Sequence, residues 1–275
     1  MLVKKMLVKK MLVKLLVMQI HQNIMLLLFN ISLENALKMA LNKLFIYIIY
    51  MNCLIGYTGF VGLNLQQYYK FDYFYNSKNF AQAKNKSFDT IFFCGMPAVK
   101  WYANKHPEED YNILENIKSI LNSVETKKII LISTIDVYDD VTNELDEDYE
   151  INYNKNHIYG RNRYLFEEYI KSRYNNYNII RLPALFGKGL KKNIIYDLIN
   201  NNNVNDIPVN SSFQWYCLDR LKKDIDIILE NDIKICNLFP EPLHTKEIVK
   251  TFNEIFNINY QFQLEYIGNE TIINY

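Results

Sequence analysis

The residues best suited to chemistry stand in two clusters. In the first, Gly56, Gly59 and Gly62 recur at three-residue spacing within Gly56-Tyr57-Thr58-Gly59-Phe60-Val61-Gly62, in a chain of 275 residues that holds only eight glycines. This stretch follows a strand-like run at 53–55 and opens a helical pattern, which is the context that gives a glycine spacing meaning. The first glycine permits a tight turn, and the second lets backbone N–H groups approach a diphosphate. The third lets the helix lie close on the strand, and the helix's amino end adds partial positive charge. A dinucleotide fits such a turn, with Thr58, Phe60 and Val61 among its contacts. In the second cluster Tyr159 and Arg163 stand four apart at the start of a helical pattern over 159–173, and so share one face. A cation there is expected to stabilise a phenolate and lower a hydroxyl pKa that is ordinarily about 10. A tyrosine so tuned gives or takes a proton at a carbonyl or carbinol oxygen while a hydride moves.

The choice of dinucleotide depends on the end of the second strand, where a carboxylate accepts from a ribose 2′-hydroxyl and a basic side chain tolerates a 2′-phosphate. Asn76, Ser77 and Lys78 stand there, and Asp72 falls too early. The sequence therefore favours NADP over NAD.

These clusters need a scaffold, and the pattern from residue 52 onward supplies one. Short apolar runs alternate with helical periodicity, which argues for βα units and an α/β fold with a doubly wound parallel sheet of Rossmann type. Strands are expected at 53–55, 72–75, 90–94, 128–133, 178–182 and 233–238. Helices are expected at 60–69, 108–124, 159–173, 218–229 and 245–256. The unbroken runs Ile91-Phe92-Phe93, Ile129-Ile130-Leu131-Ile132 and Ile179-Ile180 suit strands buried on both faces. The dinucleotide-binding domain is expected over 51–187. Beyond it the pattern loosens, and 188–275 holds too few apolar residues to fold alone, so it is expected to form a small cap on the sheet's carboxyl edge.

Composition excludes other classes. Lys plus Arg total 31 against 30 for Asp plus Glu, a net charge of +1 that gives no electrostatic case for nucleic acid. Cys53, Cys94, Cys217 and Cys236 are scattered, without metal-ligand spacing or a disulfide framework, and a reducing, cytoplasmic compartment is expected. The charge is uneven: seven lysines against Glu34 alone put +6 on residues 1–50, which from a total of +1 leaves −5 on the other 225. Met-Leu-Val-Lys-Lys occurs at 1–5 and again at 6–10. This repeat has no packing logic of its own and reads as an extension outside the fold, upstream of a start at Met51. Its apolar stretch is too interrupted for a membrane span, so membrane contact depends wholly on these fifty residues.

Ser133-Thr134-Ile135-Asp136-Val137-Tyr138 follows the fourth strand, and His157-Ile158-Tyr159-Gly160-Arg161-Asn162-Arg163 comes about twenty residues later. With the glycine turn, these segments resemble the extended branch of the short-chain dehydrogenase/reductase superfamily, the NAD(P)-dependent sugar-nucleotide epimerases, dehydratases and reductases. The resemblance covers roughly residues 51–245. It implies that Thr134, Tyr159 and, in place of the branch's lysine, Arg163 act together: Tyr159 as acid and base, Thr134 bonding the same oxygen, and the cation holding the nicotinamide ribose. A guanidinium is planar and always charged, so it keeps the electrostatics but not an ammonium's point geometry. In the dehydratases an Asp-Glu pair follows the threonine. Here Ile135 takes the first place and only Asp136 remains, so ketone reduction or 4-epimerisation fits better than 4,6-dehydration.

Further segments fall where the resemblance implies contacts. Cys94 and Gly95 lie at the adenosine side, and Pro183 belongs to the stretch whose backbone meets the nicotinamide. Lys100, Trp101, Asp136, Lys188, Lys192 and Gln214 are candidates for a substrate, expected to be a nucleotide-linked sugar. Pairing through the two long helices, to a homodimer, is common in the resembled superfamily. The alternative reading, motivated by Arg163, is a dinucleotide-binding sensor or scaffold of the same fold that does not turn over.

Overall fold

The computed structural model describes residues 51–140 and 145–257. The amino-terminal extension and the residues after 257 lie outside the described residues. Six strands form one parallel sheet: β1 (Asn52–Ile55), β2 (Tyr73–Tyr75), β3 (Ser87–Phe93), β4 (Glu125–Thr134), β5 (Tyr177–Leu182) and β8 (Ile235–Asn237), in the order β2-β1-β3-β4-β5-β8. The order reverses between β1 and β3, the switch point at which such sheets leave a crevice beyond their carboxyl ends.

Both faces of this sheet are covered, as the unbroken apolar runs require. Alternate residues point to opposite sides. Cys53, Ile91, Phe93, Ile129, Leu131 and Ile179 pack under helices α3 (Pro107–Leu121) and α4 (Ile158–Arg173). Leu54, Phe92, Ile130, Ile180 and Leu182 pack under α1 (Phe60–Leu65) and α6 (Leu221–Glu230). The strands outrun the apolar cores by which the sequence locates them. Ser87 pairs with Glu125 and Phe88 with Thr126, so the β3–β4 ladder continues into a polar alternation at its solvent end.

Helix α1 stops four residues short of the expected 69. Asn64 Nδ2 donates to the Phe60 carbonyl, Gln66 Nε2 donates to the carbonyls of Tyr57 and Gly62, and the chain tightens into three-residue turns at Gln67 and Tyr68. Side chains that bond the local backbone compete with helix continuation. A short helix, α2 (Lys100–Lys105), stands where the sequence shows only a polar and aromatic segment.

The chain beyond 187 is divided between two places. A three-stranded sheet, β6 (Ala184–Phe186), β7 (Ser212–Cys217) and β9 (Pro242–His244), with α5 (Ile194–Asn200) and α7 (Thr245–Phe256), buries its own core of Ile194, Leu198, Phe213, Trp215 and Val249. Between these pieces α6 and β8 return to complete the main sheet. Among the described residues no helix is long and apolar enough to cross a membrane.

Candidate active site

The glycine turn follows from local sterics. Gly56 adopts φ +90°, and a Cβ there would run into the Cys94 carbonyl of the adjacent strand end. A Cβ on Gly62 would overlap the Gly56 carbonyl, so this glycine lets α1 lie on β1. Gly59 meets only the Gly56 oxygen, at 3.3 Å, and is otherwise open. It is the N-cap of α1, and no side chain caps the helix. Thr58 and Gly59 are exposed, while Phe60 and Val61 anchor the turn in the core beneath α1. This is a cradle that side chains would fill, open at a helix amino end, and it fits a diphosphate.

At the end of β2, Asn76 Oδ1 accepts from the Lys78 N–H at 2.9 Å and Asn79 Oδ1 accepts from the Asn76 N–H at 2.7 Å, leaving Ser77 and Lys78 exposed. Asp72 accepts from the Asn52 N–H at the opposite end of the sheet, so it does not serve as the ribose carboxylate. Cys94 donates its thiol proton to the Ile55 carbonyl, and burial pushes the thiol up to about 12, which leaves it inert. A Cβ on Gly95 would meet Ile55 Cγ2 at 2.9 Å, so this glycine makes room for a core side chain. Pro183 is buried between β5 and β6.

Thr134 ends β4 and caps a single 3-10 turn over Ile135–Val137: its Oγ1 accepts from the Asp136 N–H and donates to Asp136 Oδ2, each at 3.2 Å. Asp136 is buried, with Lys100 Nζ at 2.7 Å and His157 Nε2 at 3.6 Å. Burial pushes the Asp136 carboxyl up, but His157 and Lys100 more than offset this and hold it below the usual carboxylate range. His157 is also the N-cap of α4, its Nδ1 accepting from the Gly160 N–H. A Cβ on Gly160 would overlap the Asp136 carbonyl, and Asn156 Nδ2 donates to the carbonyls of Asp136, Val137 and Tyr138. The Tyr159 N–H donates to Asn104 Oδ1. The first turn of α4 is thus clamped to both the turn after β4 and α2, with Tyr159 within electrostatic reach of Asp136.

Arg163 does not act as the spacing suggests. It is buried, with Nη1 donating to Asp110 Oδ2 at 2.5 Å and to the Tyr159 carbonyl, and Nη2 donating to the Pro97 carbonyl. Its terminal nitrogens bond groups of the protein itself, on α3, on α4 and in the loop after β3. Nε is buried without a partner. The guanidinium lies over the Tyr159 ring, 3.9 Å from its centroid. The expected lowering of the Tyr159 hydroxyl is also reversed. Burial pushes it up to about 12; Arg163 pulls it down, while Asp136 and Asp110 push it further up.

The substrate candidates separate. Lys100 reaches the Thr134 group through Asp136, as above. Trp101 is 68% exposed, its ring edge against Tyr102. The Lys188 carbonyl accepts from Asn64, and Lys192 Nζ donates to the Ala98 carbonyl at 2.7 Å. Gln214 lies in β7 opposite Pro242. A cavity of about 220 Å³ in the small sheet is lined by Asn193, Asp197, Asp206, Phe213 and Trp215, and its two carboxylates suit it poorly to a diphosphate.

No family model and no curated protein sequence matches this chain. Solved structures do. A dTDP-4-dehydrorhamnose reductase from Clostridium acetobutylicum is 16% identical, with a TM-score of 0.64 over 78% of this chain and 83% of that one. The same enzyme from Bacillus anthracis, in complex with NADP, is 18% identical at a TM-score of 0.62 over 78% and 84%. A UDP-N-acetylglucosamine 4-epimerase from Methanobrevibacter ruminantium is 13% identical at 0.63 over 82% and 88%. The chain shares its fold with these reductases and this epimerase.

Sequence reasoning gave no role to Asp110 or Asn156, and it named no separate role for Asn104, His157 or Gly160 within the segments that hold them. Asp110 carried a usable signal. With Leu114, Ile117 and Leu121 it forms one buried stripe of α3, so a carboxylate stands where the helical period calls for an apolar side chain.

Proposed function

We propose that this protein is an NAD(P)-dependent reductase or epimerase acting on a nucleotide-linked sugar. The observation that carries the reading is a continuous path along the carboxyl edge of the sheet. Gly56 abuts Cys94, the same loop presents the Pro97 carbonyl to Arg163, and Arg163 lies on the Tyr159 ring. This chain of contacts supports a reading in which a dinucleotide cradle and a proton-donating hydroxyl serve one site. Solved structures of this fold include a dTDP-4-dehydrorhamnose reductase with NADP, a protein complexed with NADPH and a UDP-glucose 4-epimerase with UDP-glucose, which supports the same pairing here.

A bound reduced nicotinamide supplies a hydride; the chain supplies the rest. Gly56, Gly59 and Gly62 receive the diphosphate, and exposed Lys78 and Ser77 tilt the choice toward NADP. Tyr159 holds a proton for the substrate oxygen. Thr134 gives its own proton to Asp136 in the free protein and turns that donor toward the substrate. Lys188 and Lys192, on the way into the small sheet, are the cations we assign to a sugar diphosphate. Two copies pairing through α3 and α4, in a reducing compartment, is the assembly that the sequence resemblance implies.

Thermal-shift titration tests this directly, because a ligand that binds only the folded state stabilises it by about 2.7 kcal/mol at a hundredfold excess over its Kd. The midpoint should rise with NADP more than with NAD, and rise again on adding dTDP-4-dehydrorhamnose or UDP-glucose. No rise with either dinucleotide overturns the reading.

A further inference from the structure

Arg163 poses a problem that the structure answers. A guanidinium keeps its charge under all conditions, and one left buried beside a phenol would draw out the proton that a reductase needs to hold. Asp110 projects from α3 into the same place. Its Oδ2 takes Arg163 Nη1 at 2.5 Å and Asn162 Nδ2 at 2.8 Å, and both members of the ion pair are 4% exposed. With the Pro97 carbonyl on Nη2, these contacts hold the guanidinium against the ring face of Tyr159.

We propose that Asp110 is the residue that makes an arginine workable at position 163: its carboxylate takes up the guanidinium's charge and fixes its plane, so Tyr159 stays a proton donor and the site is set to reduce a carbonyl rather than oxidise an alcohol. The inference rests on the reading above. In that direction the carbonyl carbon gains a hydride from the reduced dinucleotide and the oxygen gains the Tyr159 proton. The products are an alcohol, the oxidised dinucleotide and a phenolate that regains its proton from water. Asp110 touches neither substrate nor cofactor; it is a positioning residue acting through Arg163.

Other charged groups face Tyr159. Asp136 lies in the turn after β4, His157 caps the same helix with its ring centroid 6.3 Å from that of Tyr159, and Lys100 of α2 is engaged with Asp136. Asn104 of α2 holds the Tyr159 N–H and carries no charge. Burial raises the Tyr159 hydroxyl most, Asp136 and Asp110 raise it further, and Arg163 pulls it down. Of the two carboxylates, Asp110 is the one bonded to the guanidinium itself.

The test is NMR of protein labelled at the tyrosine Cζ, the Tyr159 signal being the one lost in Tyr159→Phe. At about pH 11, a unit below the value of about 12 at which its surroundings hold it, wild-type Tyr159 should remain mostly protonated and Asp110→Asn should be half phenolate or more, a downward shift of about one unit or more. An unmoved or raised midpoint overturns the proposal. Asp110→Asn leaves a bare buried cation and folding can fail, so Asp110→Asn/Arg163→Met, which leaves no buried charge, is the second variant. It should titrate within about half a unit of wild type; a rise of more than about one unit means that the arginine was never cancelled and also overturns the proposal. NADP binding by wild type, measured separately, reports on the reading itself, and its failure would leave the ionisation result intact.

Discussion

Asp136 keeps its charge inside a turn because three groups converge on it: Lys100 Nζ, His157 Nε2 and the Thr134 hydroxyl. With its folded carboxyl held below the usual range, the stabilisation it brings is complete above the ordinary carboxylate value of about 4 and is lost as pH falls through the lower folded value. Asp136→Asn should cost on the order of 1–3 kcal/mol at neutral pH, since Lys100 is partly hydrated and softens the loss. The gap from wild type should close in acid, and urea unfolding at a series of pH values reads it; a gap of constant size would show that charge is not what Asp136 contributes. Residues of this kind were only partly legible. The glycines, Thr134 and Tyr159 stand out by type and spacing, and they fall after β1, at the end of β4 and in the first turn of α4. Asp110 is the third of three acids opening a helix, where carboxylates commonly complement the helix dipole at the surface. Only its place on the apolar stripe separates it from Glu108 and Glu109, which are exposed.

Helix α4 shows what an element must do when its buried face carries charge. Tyr159, Arg163, Phe166, Glu167 and Ile170 all lie on that face. Each of its two charges meets its opposite on another element, Arg163 on α3 and Glu167 on β5. Glu167 is fully buried and takes Arg181 through Nε and Nη2, while Ser133 donates to Glu167 and Arg181 Nη1 donates to the Tyr138 hydroxyl. The pair thereby fixes α4 against the residue next to Thr134. Glu167→Gln leaves a buried cation without its counterion and should cost about 3–5 kcal/mol, whereas Glu167→Leu/Arg181→Met should recover most of that. Calorimetric midpoints decide it; a double variant no better than the single would mean that packing, not charge, dominates there. At this scale the main sheet was legible because its strands are continuous apolar runs. The sheet of β6, β7 and β9 was not, because two of its strands have three residues each and β7 interleaves Gln214 with aromatic side chains. Its hydrogen-bond partners are distant in sequence, and no local pattern announces them.

At the scale of the molecule, the two sheets are stitched together. The chain leaves the main sheet at Pro183 for β6, returns after β7 through α6 to β8, and leaves again for β9. Asn64 of α1 donates to the Lys188 carbonyl on the way into the small sheet, and Lys192 donates to the Ala98 carbonyl in the loop after β3. These connections couple the two sheets, and the described residues fall in one compact unit. Unfolding should accordingly be a single transition, seen alike by circular dichroism and by tryptophan fluorescence. Trp215, buried in the small sheet's own core, makes the sharper test. Trp215→Ala should remove about 3–5 kcal/mol by cavity formation, and it should move the whole transition down as one step. A small early transition splitting away from an unshifted main one would show that the cap stands on its own. If instead both move together, the two sheets share one cooperative stability, and the contacts of Asn64 and Lys192 belong to it.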